Sequence, residues 1–82
     1  MTWRFTIDAI VDPQSLARVV DCFALRAIVP VTTDMRVSGD RMRIEIVVAD
    51  LAAQQAAIIA AKLGEAVVVF DVRLCQLADA NA

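Results

Sequence analysis

Apolar and polar residues alternate along four segments of the chain, and each alternation is typical of a β-strand with one buried face. The apolar positions are Trp3, Phe5, Ile7 and Ala9; Val31, Thr33, Met35 and Val37; Met42, Ile44, Ile46 and Val48; and Val68, Phe70, Val72 and Leu74. Pro30 donates no ladder hydrogen bond, so the second segment fits an edge strand. Gly39 permits a positive φ between the second and third segments, which predicts a hairpin.

A helical pattern follows the first strand. Asp12 is suited to cap a helix N-terminus, and Pro13 loses nothing at the first helical position. The apolar residues recur every three or four positions, which predicts one buried stripe on a helix that ends near Arg26 or Ala27. The stripe consists of Leu16, Val19, Val20, Phe23 and Ala27.

A second helix is predicted over residues 51–63, where alanine dominates and neither glycine nor proline occurs. Asp50 would be its N-cap, and Gly64 would adopt the left-handed conformation that ends it. The large apolar anchors would be Leu51, Ile58, Ile59 and Leu63. Residues 76–82 are interpreted as a frayed tail.

The element order βαββαβ predicts an α+β, ferredoxin-like fold, with a four-stranded antiparallel sheet and both helices on one face. Right-handed crossovers place strands one and three in the centre and strands two and four at the edges. The chain of 82 residues is one domain, 1–82, by this interpretation. Its uncovered sheet face would carry mixed charges.

Composition narrows the possible functions. A net charge of −2 argues against nucleic acid and against an anionic membrane as the main partner. No stretch is apolar enough to cross a bilayer, so we expect a cytoplasmic protein. Hydrophobic residues make up 60% of this small chain, and such an excess predicts an oligomer.

The chain contains few of the residue types that proteins use for catalysis or metal binding. The chain has no histidine, so Ser15 has no imidazole to activate it. Cys22 and Cys75 are far apart in sequence and show no metal-ligand spacing, which favours structural thiols. We therefore expect no enzyme activity, no metal and no cofactor.

One stretch carries a family resemblance. The chain from its first loop to its second strand resembles the start of an ACT domain, in particular the short regulatory small subunit of acetolactate synthase, and the similarity extends from Phe5 to about Leu74. The residues that carry it are Asp12-Pro13-x-x-Leu16-Ala17-Arg18-Val19 and Phe23-Ala24-x-Arg26. The resemblance implies the same βαββαβ fold and a regulatory rather than a catalytic role.

The resemblance also implies where an amino-acid effector would lie, between the first loop of one chain and the entry to strand two of another. In this sequence the matching positions are Val11, Asp12, Gln14, Ser15, Ile28 and Val29. Effector-binding ACT domains have Asn-x-Pro-Gly in the loop and Gly-aromatic-Asn before the strand. This chain lacks both glycines and both asparagines, which argues against amino-acid binding.

These observations lead to two hypotheses about function. The first is a non-catalytic regulatory subunit that dimerises and activates or stabilises a catalytic subunit of branched-chain amino-acid synthesis. The alternative is a stand-alone homodimeric ACT protein that senses a small molecule such as an amino acid. In both, strand two would pair with its own copy about a two-fold axis. The interface would contain Leu25, Val31, Thr33 and Met35.

Overall fold

The computed structural model describes residues 1–78. The four strands form one antiparallel sheet in the order β2-β3-β1-β4. This confirms the α+β, ferredoxin-like βαββαβ fold, with strands one and three central and strands two and four at the edges. The elements are β1 (Thr2–Ile10), α1 (Pro13–Ala24), β2 (Thr32–Ser38), β3 (Arg41–Val48), α2 (Ala53–Gly64) and β4 (Val69–Leu77).

The core lies between the helices and one face of β1 and β3. Every second residue is buried from Phe5 to Ala9 in β1 and from Met42 to Val48 in β3, as the alternation predicted, and Trp3 is half-buried. Phe5 faces Ile46 across the strands, and its ring meets Phe23 of α1 edge to face at a centroid distance of 5.1 Å. The fully buried side chains are Phe5, Phe23, Ile7, Ile44, Ile46, Ile59, Val19 and Ser15.

Helix α1 begins as predicted, with Asp12 as its N-cap and Pro13 in its first turn. Its buried positions are Ser15, Val19 and Phe23, which follow one another at intervals of four residues. Val20 is exposed, so its predicted place on the stripe is wrong. At about 100° per residue it lies roughly 100° from the centre of the buried face.

The end of α1 departs from the prediction. The helix ends at Ala24, and Ala27 lies beyond it with a φ of 58°. The amide of Ala27 donates to the carbonyl of Ala24, and the amide of Ile28 donates to the carbonyl of Phe23, both at 3.0 Å. This is the bonding pattern of a Schellman motif, in which glycine usually occupies the left-handed position. Ala27 therefore ends the helix instead of extending its buried stripe.

The start of α2 also differs from the sequence prediction. Its N-cap is Ala52, without a side-chain bond, and the predicted cap Asp50 has a φ of 55°. Leu51 is buried before the helix begins. Its amide donates to the carbonyl of Met1, and its own carbonyl accepts from the Trp3 indole, both at 2.9 Å. These contacts to β1 hold Leu51 outside the helix.

The other end of α2 and its exposed face give two more corrections. Gly64 is the last helical residue rather than a left-handed stop, and Glu65 is the C-cap with right-handed helical angles. Ile58 is exposed, whereas Ala56, Ile59 and Leu63 are buried. A small residue at position 56 lets the helix approach the sheet closely.

Strand β4 contains a bulge that the sequence did not predict. Asp8 pairs with Asp71 and Ala9 pairs with Val69, so Phe70 has no partner in the register. Phe70 is consequently exposed, and the guanidinium carbon of Arg41 lies 4.7 Å from its ring centroid. Val69 instead packs against the core, because a bulge reverses the alternation of inward and outward side chains.

Strand β4 also extends further than predicted. It continues through Gln76 and Leu77, which pair with Trp3 and Thr2, so these two residues do not belong to a frayed tail. The interpretation of residues 79–82 as a tail falls outside the described residues.

Replacing Phe23 tests this assignment of the core. We expect Phe23→Ala to lower the free energy of unfolding by about 3–5 kcal/mol, because the ring is fully buried and leaves a cavity. Val67→Ala is the matched control, since Val67 is 98% exposed, and should change stability by less than about 0.5 kcal/mol. Urea denaturation of both variants measures the difference. Equal losses would contradict the assignment of Phe23 to the core.

Candidate functional site

The loop between β1 and α1 holds the first half of the predicted effector site, and its polar groups already bond to one another. Asp12 accepts from the Gln14 amide at 2.7 Å, and its carbonyl accepts from the Ser15 amide at 3.0 Å. The hydroxyl of Ser15 donates to the carbonyl of Ile10 at 2.8 Å and is buried. Pro13 has no amide hydrogen. Val11 and the Gln14 side chain are exposed.

The second half of the predicted site lies at the other end of the sheet. Ile10, Arg41 and Ser38 are neighbours at one end, whereas the amide of Val31 bonds to Val47 at the other. On β3 these two ends are marked by Arg41 and Val47, which are six residues apart, a distance of about 20 Å along a strand. One chain therefore does not bring Ile28 and Val29 to the first loop.

Strand β2 has no covering layer on either face. All seven of its residues are exposed, although Thr33, Met35 and Val37 pair with buried residues of β3 and share their face. Within the described residues, the helices cover that face over β3, β1 and β4 but leave β2 open. The predicted interface residues Leu25 and Met35 are 84% and 41% exposed. The result is an apolar strip along one edge of the sheet.

The opposite face of the sheet carries ion pairs between neighbouring strands. The guanidinium of Arg43 lies 2.9 Å from the Asp8 carboxylate, and that of Arg4 lies 3.9 Å from Glu45. The hydrogen bond from Arg43 lowers the pKa of Asp8 below its ordinary value of 3.8, although burial acts in the opposite direction. A shallow depression of about 630 Å³ on this face is lined by Asp8, Arg36, Ser38, Arg41, Arg43 and Glu45.

A second concave site lies between the end of α1 and the start of α2. Its volume is about 460 Å³, within the usual range for small-molecule sites. Apolar side chains form most of its wall, and Arg26 and Asp50 supply one charge of each sign. The remaining lining residues are Ile28, Leu51, Gln55, Ile58 and Ile59.

The backbone beside this second site is strained. Ala27 and Asp50 are the two non-glycine residues with positive φ in the part of the chain that the structure describes, and both border the pocket. Such conformations persist only where surrounding contacts impose them, and they occur often at binding sites. Of the predicted ligand residues only Ile28 lines this pocket. Asp50 was predicted as a helix cap, and Arg26 was named only as part of the family resemblance, so neither indicated a pocket.

The two cysteines do not form a disulfide bond with each other. Both are free thiols, with Cys22 half-buried and Cys75 exposed. Burial raises the pKa of the Cys22 thiol, while the charges of Arg26 and Lys62 oppose that shift. Among residues 1–78 no cluster of three or more histidine, cysteine, aspartate or glutamate side chains is arranged to hold a metal ion.

The fold and the sequence can be compared with known proteins. The family model for ACT-like domains matches residues 1–81. The chain therefore belongs to the ACT-like domain family, which indicates a regulatory role. A search of curated proteins gave no match. Neither helix in the described part of the chain is long and apolar enough to cross a membrane.

Solved structures share this fold at low sequence identity. The crystal structure of the ACT domain from GTP pyrophosphokinase of Chlorobium tepidum has a TM-score of 0.79 and 9% identity, covering 92% of this chain and 97% of that one. The C-terminal domain of the MgtC protein from Mycobacterium tuberculosis has a TM-score of 0.69 and 11% identity, covering 90% and 84%. At these identities the likeness shows the fold alone.

The left-handed residue at the end of α1 gives a testable consequence. Ala27→Gly should raise the free energy of unfolding by up to about 1 kcal/mol, because glycine adopts positive φ without a clash at Cβ. The control Ala17→Gly places glycine at an exposed position inside the helix and should lower stability by about 1 kcal/mol. Thermal and urea denaturation measure both. Destabilisation by Ala27→Gly would contradict the strain assigned to this position.

Proposed function

We propose that this chain is a non-catalytic regulatory subunit that acts as a homodimer and activates or stabilises a catalytic subunit of branched-chain amino-acid synthesis, in the cytoplasm. The family supports the regulatory role. The similarity of 12–26 to the acetolactate synthase small subunit supports the choice of catalytic partner. A regulatory subunit acts by binding one conformation of its partner better than another, because only differential affinity shifts an equilibrium.

The uncovered apolar strip on β2 carries the proposal of a homodimer. Met35 and Val37 of β2 are 41% and 53% exposed, and Val31, which directly precedes the strand, is 62% exposed. Leu25, although exposed, lies instead beside Lys62 and Ala66 at the groove between the helices. A monomer leaves these side chains in water together with the unpaired backbone groups of an edge strand. Pairing with a second copy removes both from water. The catalytic subunit would then bind elsewhere on the dimer.

The alternative is a stand-alone homodimer that senses a small molecule, and the pocket beside Arg26 and Asp50 favours it. Its opposite charges and apolar wall fit a small zwitterion with an apolar body, such as an amino acid. No hydrogen bond or ion pair to the Asp50 carboxylate is found within residues 1–78. That carboxylate remains available for an ammonium group.

The partner is tested by reconstitution. We expect a thiamine-dependent acetolactate synthase catalytic subunit from the same organism to co-purify with this chain, and its activity or thermal stability to rise saturably when purified chain is added. The same catalytic subunit incubated with an unrelated small protein is the control. A catalytic subunit whose activity and melting temperature are unchanged by excess chain would contradict the proposed function.

Effector binding is tested separately. We expect 1 mM valine, leucine or isoleucine to shift the melting temperature by less than about 1 °C, because the Gln14 and Ser15 amides are already bonded and Pro13 has none. Calorimetry that shows saturable binding below about 100 μM would favour the sensor instead, since 1 mM ligand would then add over about 1 kcal/mol. Loss of that binding in Asp50→Asn, with Gln14→Ala unaffected, would place the ligand in the second pocket.

A further inference from the structure

We propose that the groove between α1 and α2 is the surface on which this chain binds its catalytic subunit, and that the subunit presents there an apolar pocket bordered by carboxylates. This inference rests on the proposed regulatory function and adds the contact surface and the chemistry that recognises it. The helix groove is lined by Arg18, Cys22, Leu25 and Arg26 from α1 and the turn after it, and by Lys62 and Ala66 from the end of α2.

The first argument is the charge of the helix groove. Three of the eight basic residues of the chain line it, against one of the ten acidic residues, which is Asp21. The other five basic residues are arginines of the β-strands, so every basic side chain outside the sheet borders this groove. Because the whole chain carries a net charge of −2, the groove is a positive region on an acidic protein. Electrostatic complementarity therefore favours an acidic partner.

The second argument is that these cations remain available to a partner's carboxylates. No ion pair engages the Arg18 guanidinium within residues 1–78. Arg26 donates to the carbonyl of Cys22 at 2.9 Å, which holds its guanidinium beside the groove. Lys62 lies 3.8 Å from Glu65, and both side chains are exposed, so water screens this pair. A partner that excludes water would gain from all three cations.

The third argument is the apolar side chain among these cations. Leu25 is the C-cap of α1, and its side chain is 84% exposed. Its amide donates to the carbonyl of Asp21 at 2.9 Å, and the turn that follows is closed by two further backbone bonds. Leu25 therefore projects from a fixed backbone, which keeps the ordering cost of binding low. Burial in an apolar pocket of a partner removes its side chain from water.

The position of the helix groove is compatible with the proposed homodimer. α2 packs against β4, which lies at the opposite edge of the sheet from β2. The groove is on the side of α1 that faces α2, so it stays open when a second copy covers β2. One chain can therefore contact a second copy and a catalytic subunit at the same time.

Other occupants fit the helix groove less well. Lipid headgroups are bound by clusters of about four to eight basic residues, and the groove has three. A second copy placed groove to groove about a two-fold axis would bring like charges together. An acidic protein surface with an apolar pocket matches both the cations and Leu25.

Binding measurements with groove variants test this contact surface. We expect the chain to bind the purified acetolactate synthase catalytic subunit of the same organism saturably. Leu25→Ala, Arg18→Glu and Lys62→Glu should each raise the dissociation constant by about tenfold or more. All three side chains are exposed, so each variant should keep the wild-type melting temperature. Arg73→Glu is the matched control, because it makes the same charge change on β4 and should alter the dissociation constant by less than about twofold.

Salt separates the contribution of charge from that of Leu25. The affinity of the wild-type chain should fall as salt rises from about 0.05 to 0.3 M, because salt screens exposed charges. The fall should be smaller for Arg18→Glu and the same as wild type for Leu25→Ala.

The possible results distinguish this inference from the proposed function. A catalytic subunit that binds the wild-type chain and all groove variants equally would overturn the contact surface and leave the proposed function intact. A catalytic subunit that fails to bind the wild-type chain would overturn both. Sedimentation of the chain with phosphatidylserine vesicles that Arg18→Glu abolishes would assign the groove to a membrane instead. An oligomer larger than a dimer that Leu25→Ala dissociates would assign it to further copies of this chain, and either result would overturn the inference.

Discussion

The arrangement of the helices over only part of the sheet is the constraint on which the rest of this structure depends. α2 packs against β4 and α1 packs beside α2, and the buried residues of β1 and β3 lie beneath them. β2 carries an apolar face in register with those buried residues but has nothing above it. The core is therefore fully buried within one chain, whereas the apolar face of β2 is exposed. The proposed second copy on β2 would cover that face.

The charge pattern on the sheet face opposite the helices also distinguishes the β2 edge from the other strands. Ion pairs bind β1 to β3, with Asp8 to Arg43 and Arg4 to Glu45, and each is worth little by itself in an exposed position. Asp34 and Arg36 of β2 have no such partner on β3, because each lies opposite a residue of its own sign. The apolar strip favours any covering partner. The charge pattern favours one that presents Arg and Asp in reverse order, as an antiparallel copy of β2 does.

The loop and the second pocket bear on regulation in different ways. The loop 11–15 uses its carboxylate, its serine hydroxyl and two amides to hold the start of α1. These groups are therefore engaged in holding the fold. The pocket between the helices has unengaged charge at Asp50 and backbone strain on both sides. Under the alternative of a small-molecule sensor, the ligand would bind there.

Much of the fold could be predicted because residues on a buried face recur at a regular spacing in the sequence. β1 and β3 each have one buried face, so their alternation gave their extent and their inward side. The failures have local physical causes. The unpaired Phe70 reverses the alternation of β4. Leu51 donates to the Met1 carbonyl and accepts from the Trp3 indole, and these bonds keep it out of α2.

The candidate site was less predictable than the fold, because the two halves of the predicted site lie at opposite ends of the sheet in one chain. Residue types alone identified Asp12 as a cap, and the structure agrees. They could not reveal a pocket formed by Arg26 and Asp50, which are distant in sequence and meet only after both helices have packed. Nor can a period of two distinguish a face that helices bury from one that they leave exposed, as in β2.

Amide hydrogen exchange along β2 tests the central claim most directly. An edge strand exposes alternate amides to water, whereas a strand paired on both sides protects all of them. We expect amides throughout Thr32–Ser38 to exchange slowly at high protein concentration and every second one to exchange faster on dilution, while those of β1 stay protected. Rapid exchange of every second β2 amide at all concentrations would contradict it.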